Sequence, residues 1–229
     1  MEFLRRTLEE FDPKLLKRSK LVEVEGTSLL DNTAANLDLL RNFKAQPNDL
    51  LICTYPKAGT TWMQEIVDML QHGGNKQKCA RGPIYERIPF IDMFPMKPVS
   101  SVAWGSWFDH VQDWWKAKDH HPILYLFYED IKEDPAREIK KVAHFLSFEL
   151  PDPLLKEIIE HTKFETMKNN PMANYTTRPA FVMNQAMSPF MRKGIVGNWK
   201  EHLTVAQNER IDEISSQLLA GSGLVFRTE

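Results

Sequence analysis

Cysteine is nearly missing from this 229-residue sequence: Cys53 and Cys79 are the whole supply, and they form no C-x-x-C spacing. That excludes a disulfide framework and fits reduced thiols in the cytosol. No stretch approaches the roughly 18 consecutive apolar residues that a membrane-spanning helix needs. The opening Met1-Glu2-Phe3-Leu4-Arg5-Arg6 is followed by no long apolar region, so neither a signal peptide nor a membrane anchor is expected. Charge of one sign is absent too. Twenty-nine Lys and Arg against 31 Asp and Glu leave a net charge of −2, which argues against a broad electrostatic surface for nucleic acid. Metal-ligand clusters are absent, so the chemistry is expected to run without a bound metal. Repeats and low-complexity tracts are missing, and the length suits one domain over 1–229 better than two.

What is present begins with an apolar run, Leu50-Leu51-Ile52-Cys53, that reads as a short buried strand. Met63-Gln64-Glu65-Ile66-Val67-Asp68-Met69-Leu70 carries apolar residues at helical spacing. Between them lies Thr54-Tyr55-Pro56-Lys57-Ala58-Gly59-Thr60-Thr61-Trp62. A strand, a tight turn and a helix start therefore meet at one lysine and two hydroxyls. N–H groups at a helix start lack intrahelical partners and the dipole there favours negative charge, so the natural occupant is a phosphate-like anion.

The triphosphate-binding loop has the order G-x-x-x-x-G-K-[ST]. Here Lys57 precedes Gly59 by two residues and Gly59 is the loop's one glycine, which argues against a kinase or NTPase. Less backbone can wrap the ligand, so Lys57, Thr60 and Thr61 must supply donors from their side chains. That suits a short anion bridged to one nucleoside. The plain alternative is a strand-to-helix turn capped by Thr60, with a solvated lysine.

A second segment, Ser188-Pro189-Phe190-Met191-Arg192-Lys193-Gly194-Ile195-Val196-Gly197-Asn198-Trp199-Lys200, sets two cations beside two glycines. Gly194 and Gly197 let backbone approach a ligand, and Arg192 with Lys193 can grip a separate phosphate. The two segments together describe a site for a nucleotide with phosphates at two positions. Elsewhere Leu21-Val22-Glu23-Val24 alternates like a strand, and 122–127 reads as another buried strand. Asp134-Pro135 opens a helix to about Leu146, and Pro151-Asp152-Pro153 opens one to about Thr162. Strands alternating with helices predict an α/β fold: one domain, a central parallel sheet flanked by helices, and the ligand at the strands' carboxyl ends.

The two loops resemble those of the cytosolic sulfotransferases, which move a sulfuryl group from 3′-phosphoadenosine 5′-phosphosulfate (PAPS) to a hydroxyl or amine. T-Y-P-K-A-G-T-T-W is similar to that family's 5′-phosphosulfate loop and R-K-G-I-V-G-N-W-K to its 3′-phosphate loop. The resemblance runs from about residue 50 to 229, through 124–130 and 169–175, and is nearest the phenol- and amine-sulfating members. It implies that Lys57 contacts the oxygen bridging phosphate and sulfate. It further implies that Ala58, Gly59, Thr60 and Thr61 donate to the 5′-phosphate and that Trp62 stacks on adenine. Arg192, Lys193 and Gly194 would hold the 3′-phosphate, and Tyr128 and Thr162 would face the adenosine. Phe164, Met167, Phe190 and Met191 match further nucleotide-binding positions. Phe90, Met93, Tyr175 and Phe181 fall where relatives line an apolar pocket for a small phenol, steroid or amine. Lys200, Thr204, Val205 and Glu209 match a short K-x-x-x-T-V-x-x-x-E dimerisation stretch, which by itself also reads as a helix start capped by Thr204.

One departure matters. The family's T-H-[LF]-P segment, whose histidine deprotonates the acceptor, and its R-N-x-K-D…S-Y-Y segment do not occur here. The junction falls near residues 98–102, and the missing block is expected to carry at least one central strand. Either a longer polypeptide supplies it, or the chain is a donor-binding relative with impaired catalysis. No substitute base is evident. His72 ends the first helix beside Gly73-Gly74, where a cap role fits. His110, His120 and His121 lie in a polar stretch and are expected to be solvated, while His144, His161 and His202 belong to helical or flanking segments.

Overall fold

The computed structural model describes residues 20–90, 106–180 and 182–228. They fall into two compact units, one built from 20–49, 89–90 and 178–189, the other from 50–88, 106–177 and 190–228. In the first, β1 (Leu21–Val24) pairs antiparallel with β2 (Thr27–Leu30), Leu21 opposite Leu30 and Val24 opposite Thr27. Glu25 and Gly26 turn the chain at φ 52° and 76°, the positive pair that a two-residue primed hairpin turn requires. Two short helices follow, α1 (Asp31–Ala35) and α2 (Leu37–Arg41).

The larger unit carries α3 (Thr60–Gln71), α4 (Lys76–Cys79), α5 (Ile84–Arg87), α6 (Trp107–Ala117), α7 (Tyr128–Glu133), α8 (Pro135–Phe145), α9 (Asp152–His161), α10 (Phe164–Lys168), a 3-10 turn at Asn198–Glu201, and α11 (Val205–Leu218). The helix signals behave as chemistry dictates. Asp134 accepts the Arg137 amide and Pro135 occupies the first turn of α8, where its missing N–H costs nothing. Helix α3 closes after His72 with Gly74 N–H on Met69 O at 2.9 Å and Gly73 N–H on Leu70 O at 3.1 Å. Gly73 and Gly74 sit at φ 57° and 79°, the left-handed ending that glycine favours.

The core joins α3, α8 and α9 through Ile66, Val67, Met69, Leu70, Ile139, Val142, Leu155 and Ile158, with Cys79 of α4. Ile52, Leu124 and Leu126 pack against it. Residues 123–127 are half-buried, but the burial expected of 50–53 is corrected: Leu50 is 39% and Leu51 65% exposed and Cys53 is exposed, so Ile52 alone of the four turns inward. The chain is α/β, but the parallel sheet is corrected: among the described residues the one ladder is the β1–β2 hairpin, and neither 50–53 nor 122–127 carries strand pairing. A ladder needs a neighbour about 4.7–4.9 Å away. Neither run has such a neighbour among the described residues.

Charge sits inside the same core. Glu65 and Asp68, one turn apart on α3, are wholly buried. Arg87, itself buried, bonds Glu65 through one nitrogen and Asp68 through another. Arg81 adds two bonds to Asp68 at 2.8 and 3.2 Å, and His161 Nε2 lies 3.1 Å from Glu65. Burial alone would raise the Asp68 pKa. Hydrogen bonds from Arg81 and Cys79 and the nearby Arg87 and Arg81 charges outweigh it, so the carboxyl lies below its ordinary value. Burial, then the hydrogen bond to Asp68, pushes the Cys79 thiol up to about 12, which keeps it protonated and inert.

Candidate functional site

The 54–62 loop folds back on itself before α3. Lys57 takes φ 68° and Gly59 φ 109°, and the Ala58 amide closes the turn on Tyr55 O at 3.1 Å. Ala58 is expected to donate to the 5′-phosphate; in this structure its N–H turns to Tyr55 O. Gly59 stands at the N-cap and no side chain caps the helix. The Thr60 hydroxyl instead bonds that of Thr54, a partner the sequence pattern did not point out. The first amides of α3 thus have no intrahelical acceptor, which is the arrangement an anion requires.

Side chains from three other segments converge on this loop. Lys57 as a whole is exposed, yet its ammonium is tucked in, 3.0 Å from Phe190 O and 3.8 Å above the Phe190 ring centre. Lost hydration lowers its pKa below the ordinary lysine range, and Arg192 lowers it further. Tyr128, the first residue of α7, packs over Gly59, with a ring carbon 3.6 Å from where a Cβ would stand. Its ring meets Trp62 edge-on at 5.6 Å. Burial raises the Tyr128 pKa, Glu129 adds to the effect, and Arg192 opposes it. Trp62 Nε1 is buried and finds no acceptor among the described residues.

The second loop is held by packing. A Cβ on Gly194 would fall 2.2 Å from Phe164 Cδ2, and its φ is 63°, so backbone crosses the Phe164 ring at the one place where only glycine fits. Tyr175, at φ 62°, receives the Thr61 hydroxyl at 3.4 Å and stacks obliquely on Phe190 at 4.2 Å. Lys57, Thr60, Thr61, Trp62, Tyr128, Tyr175, Phe190 and Arg192 accordingly form one locale, and the Phe164–Gly194 crossing lies two residues along the chain from Arg192. Other expected residues are engaged elsewhere. Lys193 pairs with Glu201, and Thr162 donates its hydroxyl to Ile158 O at 2.8 Å. Met167 is buried on α10 and Met191 is half-buried. Met93 and Phe181 lie outside the described residues; Phe90 belongs to the smaller unit and Tyr175 to the larger.

His110 departs from the solvated role expected of it. It is half-buried, its ring lies 5.7 Å from that of Tyr55, and burial lowers its pKa, partly opposed by Asp113. The Thr204 segment forms the helix cap: Thr204 and Gln207 exchange bonds as a capping box at the start of α11. Val205 beside it is 76% exposed. Two sets of residues escaped the motif reading. Glu65 and Asp68 were legible only as charges on an apolar helix face, and Arg227 carried no signal at all.

The family model for the sulfotransferase domain matches residues 47–101 and 96–223. The chain belongs to the sulfotransferase family. Sulfotransferase 1C2 of Rattus norvegicus is 39% identical over 291 residues, covering 95% of this chain and 98% of that protein. Sulfotransferase 1A1 of Mus musculus is 37% identical over 286 residues, covering 93% and 98%. Because 95% of 229 residues is roughly 218, a 291-residue overlap leaves roughly 73 aligned positions without a residue here. The fold is shared with retinol dehydratase in complex with androsterone and the inactive cofactor PAP, at TM-score 0.79 and 16% identity over 92% of each chain. A mouse sulfotransferase complexed with PAP matches at TM-score 0.65 and 22% identity, over 88% of this chain and 95% of that one. Among the described residues, no helix of this sulfotransferase is long and apolar enough to cross a membrane.

Proposed function

We propose that this sulfotransferase binds PAPS and moves its sulfuryl group to the hydroxyl or amine of a small phenol, steroid or amine. The observation that carries the donor reading is the convergence at one loop of Lys57 and Thr61, of Trp62 and Tyr128, and of Phe190, Arg192 and the Phe164–Gly194 crossing. The open helix start and Thr60 and Thr61 suit the 5′-phosphate, Arg192 and the Gly194 backbone suit the 3′-phosphate, and Trp62 and Tyr128 supply aromatic faces for the base. In the transfer, an acceptor oxygen or nitrogen attacks sulfur and forms one bond. The bond from sulfur to the bridging oxygen breaks, its electron pair leaves with the 5′-phosphate, and the acceptor's proton passes to a base. Lys57 is the cation positioned to offset the charge that builds on the leaving group. We further propose a cytoplasmic homodimer that uses Lys200, Thr204, Val205 and Glu209, a reading supported by the exposure of Val205. No metal, membrane or nucleic acid enters the scheme.

A second reading has its own support. The family match breaks at 96–101, the same place where the T-H-[LF]-P segment is missing, and roughly 73 aligned positions have no counterpart. A chain without that segment binds the donor but has lost its proton acceptor, so catalysis is impaired. One experiment separates the two. The purified chain is incubated with PAPS and a phenol panel, sulfated product is followed, and uptake of adenosine 3′,5′-bisphosphate is measured in parallel. Binding with turnover supports the transferase, binding without turnover the impaired relative, and absence of both overturns the donor site.

A further inference from the structure

The C-terminal stretch 222–228 reaches both walls of the donor site. Phe226 lies in an aromatic cluster, 5.0 Å from Trp107 and 6.0 Å from Phe127, and Phe127 directly precedes Tyr128 at the start of α7. One residue further, Arg227 bonds Asp130 at 2.7 Å and Glu133 at 3.1 Å, both on α7. Thr228 then offers its carbonyl to the Trp199 indole N–H at 2.9 Å, and Trp199 belongs to the segment that follows Arg192 and Gly194. Three consecutive residues thus join the helix headed by Tyr128 to the loop that presents Arg192. The remaining space is a cavity of about 350 Å³ between Arg227, α7 and Ile195 with Val196.

We infer that residues 226–228 form a strap that fixes the distance between the adenosine-facing Tyr128 and the 3′-phosphate loop, with Arg227 as a positioning residue for nucleotides carrying a 3′-phosphate. The inference rests on the donor reading above and says which nucleotides are discriminated. A ligand with only a 5′-phosphate engages α3 and Tyr128 and does not sense the span. A ligand phosphorylated at both ends must satisfy both walls at once, and its affinity depends on their separation being set beforehand. The Arg227 pairs are exposed at their rims, so their loss has little effect on stability.

The test is calorimetric titration of the whole chain, unaltered and as Arg227→Gln, Arg227→Lys and Asp130→Asn, with adenosine 3′,5′-bisphosphate and separately with adenosine 5′-phosphate. The strap predicts that Arg227→Gln weakens the bisphosphate roughly two- to fivefold, the size of exposed pair energies. It also predicts little change for the 5′-phosphate probe, partial rescue by Arg227→Lys, and an effect of Asp130→Asn in the same direction as Arg227→Gln. Equal weakening of both probes, or no weakening of either, overturns it. If the unaltered chain takes up no bisphosphate, the donor site itself is refuted and the strap with it.

Discussion

At Lys57 a left-handed backbone, an aromatic ring beneath the ammonium and a second cation nearby coincide. Burial and Arg192 favour its neutral form, so its charge is lost at a lower pH than that of a free lysine. Anion binding prefers the charged form. Bisphosphate affinity is therefore expected to hold at neutral pH and to decline as pH rises toward the ordinary lysine range, and Lys57→Arg is expected to flatten that decline in a titration series. In a transfer assay Lys57→Ala is expected to cost ~2.7–4 kcal/mol of barrier, about 10²–10³ in rate, as for other positioned donors at a developing charge. Gly194→Ala belongs to the same scale. A Cβ 2.2 Å from the Phe164 ring at φ 63° combines overpacking with left-handed strain, together ~2–5 kcal/mol. It should appear as lost bisphosphate binding before any loss of secondary structure in circular dichroism. Lys57 and Arg192 stood out as candidates because cations beside glycines suit a phosphate, and Trp62 did so only through the family resemblance. Thr54 did not, since a hydroxyl six residues from its partner has no periodic signature.

Helix α3 presents its open N-terminus to the site and its charged flank to the core. Glu65 and Asp68 are fully buried, and Arg87, Arg81 and His161 hold them from α5, from the residues after α4, and from the end of α9. Removing one partner strands a buried charge, at roughly 3–5 kcal/mol. Arg87→Ala is expected to lower the unfolding free energy by that amount, seen as a lower urea midpoint with the slope nearly unchanged. The acid limb follows from the lowered Asp68 pKa. The stabilisation it gives is fully present above the unfolded carboxyl value of about 3.9 and disappears as pH falls through the lower folded value. Asp68→Asn should remove that part of the acid dependence in pH-resolved unfolding. Helices were the legible elements: Asp134-Pro135, Gly73-Gly74 and the period of 63–70 all mark what forms. Strand pairing was not legible, because a strand is defined by its neighbour, and no described segment pairs with 50–53 or 122–127.

The whole molecule combines a candidate donor site with fewer residues than the alignment to its relatives spans. Residues 47–101 and 96–223 both match the family, yet the T-H-[LF]-P segment expected to carry the acceptor's base does not occur in the sequence. His110, the histidine set against Tyr55, faces the loop from α6 with its pKa lowered. Splicing a relative's T-H-[LF]-P block into the junction near residues 98–102 is expected to raise phenol sulfation well above that of the unaltered chain, with bisphosphate affinity already present before the insertion. Turnover that is high without the block would contradict the impaired-catalysis reading. The candidate donor loops stood out at this scale because two separated segments set cations beside glycines, whereas the candidate acceptor pocket, drawn from Phe90, Met93, Tyr175 and Phe181, depends on contacts that no local motif encodes. The most direct test is isothermal titration of the folded chain with adenosine 3′,5′-bisphosphate. One site per chain is predicted, weakened roughly 10- to 100-fold in Arg192→Ala, as a lost charge-assisted bond of ~1.5–3 kcal/mol implies. No heat of binding from well-folded protein, or equal affinity in Arg192→Ala, would contradict it.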